Sequence, residues 1–189
     1  MEVIGTTVDD AAGEAFDKVA KLIGLPYPGG PLVDKYAQLG DPEAFVFKGS
    51  KVDGLNMSFS GLKTQVLRFL QVRLKSDPQF MESHLHDFCA SVQATIVGML
   101  MSKLAQAVAE TGITQVAIAG GVSANSGLRK ALGQREGWQV FIPPLSYCTD
   151  NAAMVGIVGV LDAAEGRFGT LRDTPQPRMP KLTHCGSPR

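Results

Sequence analysis

An α/β domain is the fold class this sequence predicts, and three stretches predict it. Val116-Ala-Ile-Ala119 reads as a short buried strand, Gly120 and Gly121 break it, and residues 122–132 read as a helix. A second strand over 137–142 runs through Pro143 and Pro144 into a helical pattern over 152–164. Ahead of both, residues 79–111 carry Phe80, Leu85, Phe88, Cys89, Val92, Ile96, Met99, Leu100, Leu104 and Val108 at helical spacing, closed by Gly112.

Taken in order, residues 2–7 are short and apolar, which predicts an incoming strand. Residues 7–24 then predict an amphipathic helix: Ala12, Phe16, Val19, Ala20 and Ile23 share a face, Asp9, Asp10 and Glu14 crowd the first turn, and Gly24 suits the end. Pro26-Tyr-Pro-Gly-Gly-Pro31 is a turn in which prolines fix φ around two permissive glycines. It opens a helix over 31–40, with Pro31 at the first position. Residues 41–56 read as loop with a short hairpin around Phe45-Val-Phe47. Met57-Ser-Phe-Ser60 alternates like a strand and runs into Gly61 and a helix over 63–74. Ser58, Ser60, Lys63 and Thr64 form a polar lip suited to an anion or to simple capping. Gly156 and Gly159 in the last helix predict close packing on a neighbour. The proline-rich tail from Leu171 predicts extended or disordered chain.

The 189 residues suit one domain, with 18 Lys and Arg against 18 Asp and Glu. That balance argues against binding dominated by net charge and leaves room for a local basic patch, for which Lys63, Arg68, Arg73, Arg172 and Arg178 are candidates. No uninterrupted apolar run reaches the roughly 18 residues of a membrane span, and no signal-peptide pattern is present, so no membrane association is expected. Three cysteines without a Cys-x-x-Cys pair favour reduced thiols and a cytoplasmic setting. His84 and His86 are two apart, point in different directions on a helix, and do not form a shared metal site.

The sharpest chemistry lies at the glycines and carboxylates. A strand, Gly120-Gly121 and a helix start present backbone N–H groups and the positive end of a dipole to an anion. The spacing is not that of the P-loop, since no lysine follows. Asn125 is expected in the first turn of that helix, its amide within reach of a sugar or phosphate. Asp17, Gly30 and Asp34 flank the Pro-Gly-Gly turn, where carboxylates accept from ribose hydroxyls. Asp150 stands past a strand end, suited either to a hard cation or to capping the next helix.

Five blocks together carry a resemblance: Asp9-Asp-Ala-Ala-Gly-Glu-Ala-Phe-Asp-Lys18, Tyr27-Pro-Gly-Gly-Pro31, Phe59-Ser-Gly-Leu-Lys-Thr64, Gly120-Gly-Val-Ser-Ala-Asn125 and Cys148-Thr-Asp-Asn-Ala-Ala-Met154. In order and spacing they resemble the TsaD family, bacterial tRNA N6-adenosine threonylcarbamoyltransferases once labelled O-sialoglycoprotein endopeptidases. The resemblance implies one lobe of an actin/hexokinase-type (ASKHA) fold over 1–170, with a helical insertion over about 25–105 and a tail over 171–189. It implies transfer of threonylcarbamoyl from threonylcarbamoyl-adenylate to N6 of adenosine 37 in tRNAs that read codons beginning with A. It further implies Asp17, Gly30, Asp34 and Asn125 as adenylate contacts, Gly120 and Gly121 as the phosphate loop, and Asp150 as a ligand to a divalent iron or zinc. The implied partners are tRNA, a TsaB-like paralogue, a TsaE-like ATPase and an N-terminal lobe.

The family's His-x-x-x-His metal motif and its further substrate loop do not occur here, nor does the His-Glu-x-x-His of a zinc peptidase. The expectation is therefore a C-terminal fragment with an incomplete metal site, deficient in transfer on its own and exposing apolar surface through which it self-associates. Two other readings compete with a tRNA-modifying lobe: a small-molecule phospho- or carbamoyltransferase of the same superfold, and a non-catalytic nucleotide-binding or scaffold module.

Overall fold

The computed structural model describes residues 2–174. Most of the tail expected to be extended, with Arg178, His184 and Cys185, lies outside them. Four helices come first: α1 (Ala12–Leu22), α2 (Gly29–Ala37), α3 (Ser60–Ser76) and α4 (Phe80–Thr111). Strand β1 (Gln115–Ala117), a 3-10 turn (Gly121–Ala124), α5 (Ser126–Gly133) and β2 (Gln139–Phe141) follow, and α6 (Ala152–Ala164) closes the described chain. β1 and β2 are parallel neighbours, pairing Gln115 with Gln139, Val116 with Val140 and Ala117 with Phe141. A parallel pair needs a crossover, and α5 supplies it. The result is a mixed, mainly helical α/β fold with a small sheet.

α4 is the spine. Phe88, Cys89, Val92 and Ile96 on its first half pack with Phe16, Val19 and Ala20 of α1, Val33 and Ala37 of α2, and Leu62, Val66 and Leu70 of α3. Val97 and Met101 further along join a second cluster with Val116 of β1 and Leu128 and Leu132 of α5. Different faces are covered at different heights, so α4 is apolar nearly all round rather than along one stripe. By length and composition it is apolar enough to cross a membrane, although no uninterrupted apolar run has that length; half of that stretch is buried inside the fold.

Four expectations are corrected. Residues 2–7 form no strand; only Thr7 bridges Met57, and Val3 and Ile4 stay exposed without a neighbouring strand to pair with. No hairpin forms at Phe45 and Phe47, which find no strand to pair with; their rings instead pack on Phe69 at 5.3 and 5.4 Å. The strand-like reading of 57–60 reduces to that single bridge, since α3 already begins at Ser60. No residue of α6 is buried: Val155 is 76% and Val160 64% exposed, because no described element packs against the helix.

Candidate nucleotide site

The first half of the site grows from the α1–α2 turn. Pro28, the residue before α2, has no capping side chain, so α2 borrows one from α1. Asp17 Oδ1 accepts from the N–H groups of Gly29 at 2.8 Å and Gly30 at 2.9 Å. A carboxylate at a helix N-terminus satisfies two orphan donors and meets the positive end of the dipole. Both bonds fall on Oδ1, leaving Oδ2 without an intramolecular donor among the described residues. Gly29 is the tighter glycine: a Cβ there would lie 2.2 Å from Ala20 Cβ, whereas one at Gly30 meets Phe16 Cβ at an ordinary 3.7 Å. The helix therefore starts at Gly29, and Pro31 is its third residue rather than its first, still inside the turn where no N–H is required.

One turn along α2, Asp34 reaches across to α5. Its Oδ1 accepts from Ser126 Oγ at 2.6 Å, and both of its oxygens lie 3.1 Å from Ser126 N. Asn125 is not in the first turn but is the N-cap: its Oδ1 accepts from Leu128 N at 2.9 Å, and its Nδ2 donates to Gln93 Oε1 at 2.7 Å. A 3-10 turn fills the residues assigned to helix before it, because asparagine closes a helix start better than it continues one. The Asn125 amide is thereby buried and oriented by α4. Gly127 leaves room for this, since a Cβ there would come within 2.8 Å of Gln93 Nε2. Asp17, Gly30, Asp34 and Asn125 are thus brought to one place, strung along α2 and the start of α5.

Two residues separate Gly120 and Gly121 from the end of β1. Gly120 has φ +82°, which glycine adopts without strain, and a Cβ at either position would meet nothing within 4 Å. Among the described residues no acceptor takes their N–H groups. Two residues past Gly121, the Ser123 hydroxyl is buried and has no hydrogen-bond partner among the described residues. Arg129 on α5 ties this loop to the one after β2. Its Nε donates to Ser123 O at 2.7 Å, and its Nη2 donates to Pro143 O at 2.6 Å and lies 3.1 Å from Cys148 Sγ. Both loops leave the C-terminal ends of adjacent parallel strands, where ligands collect in open α/β sheets. Asp150 is exposed in the second loop, and Asn151, rather than Thr149 or Asp150, caps α6 through a bond from Met154 N.

Three contributors escaped sequence reasoning. Gln93 is a polar residue inside the apolar run of α4, which is a usable signal. Ser126 carried none, because its partner Asp34 is 92 residues away, and Arg129 carried none, because its partners Ser123 O and Pro143 O are backbone carbonyls that leave no mark in the sequence. Ser58 and Ser60, expected on an open lip, are already occupied. Both hydroxyls donate to Asp9 Oδ2, and Phe59 N donates to Asp9 Oδ1 at 2.8 Å, closing the start of α3. Burial pushes the Asp9 carboxyl up, but these donors and Ser60 N outweigh it and hold the group well below the usual carboxylate range. His84 packs on Phe80 at 4.6 Å and His86 stacks on Tyr36 at 5.6 Å.

The iron or zinc implied by the resemblance does not find a full ligand set here. Among the described residues no group of three or more His, Cys, Asp or Glu side chains converges, at Asp150 or elsewhere. One carboxylate falls short of the three or four ligands that such ions take from protein.

The TsaD family model, tRNA N6-adenosine threonylcarbamoyltransferase, matches residues 1–157, a stretch that contains every residue of the site. The tRNA N6-adenosine threonylcarbamoyltransferase of Christiangramia forsetii is 62% identical over 181 residues, covering 94% of this chain and 53% of the relative. That of Cytophaga hutchinsonii is 54% identical over 182 residues, covering 95% and 53%. That of Gloeobacter violaceus is 46% identical over 186 residues, covering 98% and 53%. The chain spans about half the length of the curated relatives it matches. At these identities, and with the family pattern running through both the helical core and the two glycine turns, the chain belongs to the TsaD family.

Proposed function

We propose that this chain is the adenylate-binding C-terminal half of a tRNA N6-adenosine threonylcarbamoyltransferase, forming one lobe of an actin/hexokinase-type fold with the helices over about 25–105 as an insertion. One observation carries the reading: Asp17, Gly30, Asp34 and Asn125 join through the hydrogen bonds of α2 and the start of α5. The ribose hydroxyls of threonylcarbamoyl-adenylate donate to Asp17 Oδ2 and to the spare lone pairs of Asp34. The phosphate sits against the open N–H groups of Gly120 and Gly121. When N6 of the tRNA adenosine attacks the carbamoyl carbon, a C–N bond forms, the bond from that carbon to the phosphate oxygen breaks, and the proton that N6 sheds passes to solvent. Backbone donors fixed by Arg129 stabilise the charge that gathers on the departing adenylate. Asp150 contributes one ligand to a divalent metal whose other ligands lie in the remainder of the parent enzyme.

The working assembly then includes tRNA, the N-terminal lobe, a TsaB-like paralogue and a TsaE-like ATPase, in the cytoplasm. Calorimetric titration of this chain with a non-hydrolysable threonylcarbamoyl-adenylate analogue tests the site. A single binding event weakened about tenfold or more by Asp17→Ala is expected, in line with loss of a charged hydrogen-bond acceptor. Absence of binding, or equal affinity in the variant, contradicts the reading. Transfer to tRNA is expected only once the N-terminal half is added.

A further inference from the structure

We propose that the edge of α3 bearing Arg68 and Lys75, with Lys48 and Lys51 from the loop pinned beside it, docks the phosphate backbone of a folded RNA; this rests on the tRNA-modifying function proposed above. The whole chain is charge-balanced, yet the α3 sequence Ser-Gly-Leu-Lys-Thr-Gln-Val-Leu-Arg-Phe-Leu-Gln-Val-Arg-Leu-Lys-Ser contains four cations and no acid. Several cations elsewhere are engaged within the fold, while Lys21 and Lys130 are free among the described residues but stand singly on other helices. Lys18 pairs with Asp10 and Glu14, Arg167 with Asp162 and Glu165, Lys103 donates to the carbonyls of Val52 and Gly54, and Arg129 to those of Ser123 and Pro143. Lys48, Lys51, Arg68 and Lys75 are exposed, and none has a carboxylate within 4.0 Å among the described residues.

The four come from two segments brought to one edge. Each residue turns a helix by about 100°, so Arg68 and Lys75 fall within about 20° of each other, two turns and about 10 Å apart. Gly61 and Gln65 flank that edge, and both hold the loop. Lys48 N donates to Gln65 Oε1 at 2.9 Å, Gln65 Nε2 donates to Lys48 O at 2.7 Å, and a Cβ on Gly61 would lie 2.6 Å from Ser50 Oγ. Residues 48–51 therefore run along the same side as Arg68. The periodicity removes two other candidates. Lys63 lies about 140° round from Arg68, and the Arg73 guanidinium is turned over the Phe69 and Phe80 rings at 5.3 and 5.9 Å. Thr64 and Gln71 on the same exposed side add uncharged donors of the kind that meet phosphate oxygens. α3 packs chiefly on α1, the helix that carries Asp17, and cations spread over about 10 Å of helix match a chain of phosphates rather than a single one.

The test is fluorescence anisotropy of an unmodified tRNA transcript, reading a codon that begins with A, titrated with the 189-residue chain over a salt series. Arg68→Glu with Lys75→Glu, and Lys48→Glu with Lys51→Glu, are compared with the control pair Lys21→Glu with Lys130→Glu on other helices. Each patch pair is expected to weaken binding about tenfold or more and to flatten the salt dependence by about two ion contacts, the control pair by far less. Equal losses in patch and control pairs, or no loss in either, overturn the inference. So does competition by poly-glutamate as effective as that by RNA, which assigns the face to an acidic protein. Calorimetry with the adenylate analogue on the same preparations separates the two proposals. Intact adenylate binding with patch-independent RNA binding sinks only the docking surface. Patch-dependent RNA binding without adenylate binding supports the surface and sinks the nucleotide site.

Discussion

Two glycine pairs look alike in the sequence and do opposite work in the fold. Gly29-Gly30 is closed: a Cβ on Gly29 would lie 2.2 Å from Ala20 Cβ, and both N–H groups are taken by Asp17. Gly120-Gly121 is open: a Cβ at either position meets nothing within 4 Å, and no described residue accepts from either N–H. A missing side chain serves packing in the first case and leaves backbone donors uncovered in the second. The difference separates a pair whose N–H groups hold the Asp17 carboxylate from a pair whose N–H groups are left open.

The comparison breaks most visibly at Gly29. Gly29→Ala forces α1 and α2 apart and is expected to cost about 3 kcal/mol, read as a lower melting temperature of the chain. A cost of a few tenths would show that the pair is not closed. Next in size is Arg129→Met, which removes charged donors from Ser123 O and Pro143 O and is expected to cost about 2–3 kcal/mol. Amide exchange should rise together in residues 118–125 and 142–150 while α2 stays protected; a rise in one loop alone would deny that Arg129 joins them. The smallest effect concerns the start of α3, closed by Asp9 as α2 is closed by Asp17. The folded Asp9 carboxyl titrates below its unfolded value, so its contribution is whole above about pH 4 and is lost as the pH falls toward the folded value. Asp9→Asn should flatten the dependence of stability on pH below 5, measured by denaturant unfolding from pH 6 to 3. An unchanged slope would mean that the serine hydroxyls do not hold the carboxylate.

Local periodicity made the helices legible, and α6 was placed over 152–164 as found, because apolar spacing and caps are local signals. What α6 packs on was not legible, since nothing in its own residues says which neighbour is present. The short strands were over-read for a related reason: Val3, Ile4, Phe45 and Phe47 are good strand formers, but a strand exists only with a partner, and just two segments found one. At the site, the carboxylates could be placed near the Pro-Gly-Gly turn because the turn is close by in sequence. Their bonding partners were hidden, as the link from Asp34 to Ser126 joins segments far apart along the chain. Asn125 was found as a residue of interest, while its part as a buried cap held by Gln93 needed the tertiary fold.

The most direct measurement is calorimetric binding of the adenylate analogue to the Gly121→Val variant. Position 121 is open to a Cβ and its φ lies outside the left-handed region, so the backbone accepts a side chain there, which would stand where the phosphate would dock. Affinity lower by about tenfold or more at an unchanged melting temperature is the result predicted for a cradle left open to a ligand. Affinity equal to that of the unmodified chain would contradict it, and would leave Gly120-Gly121 as an ordinary strand-to-helix turn.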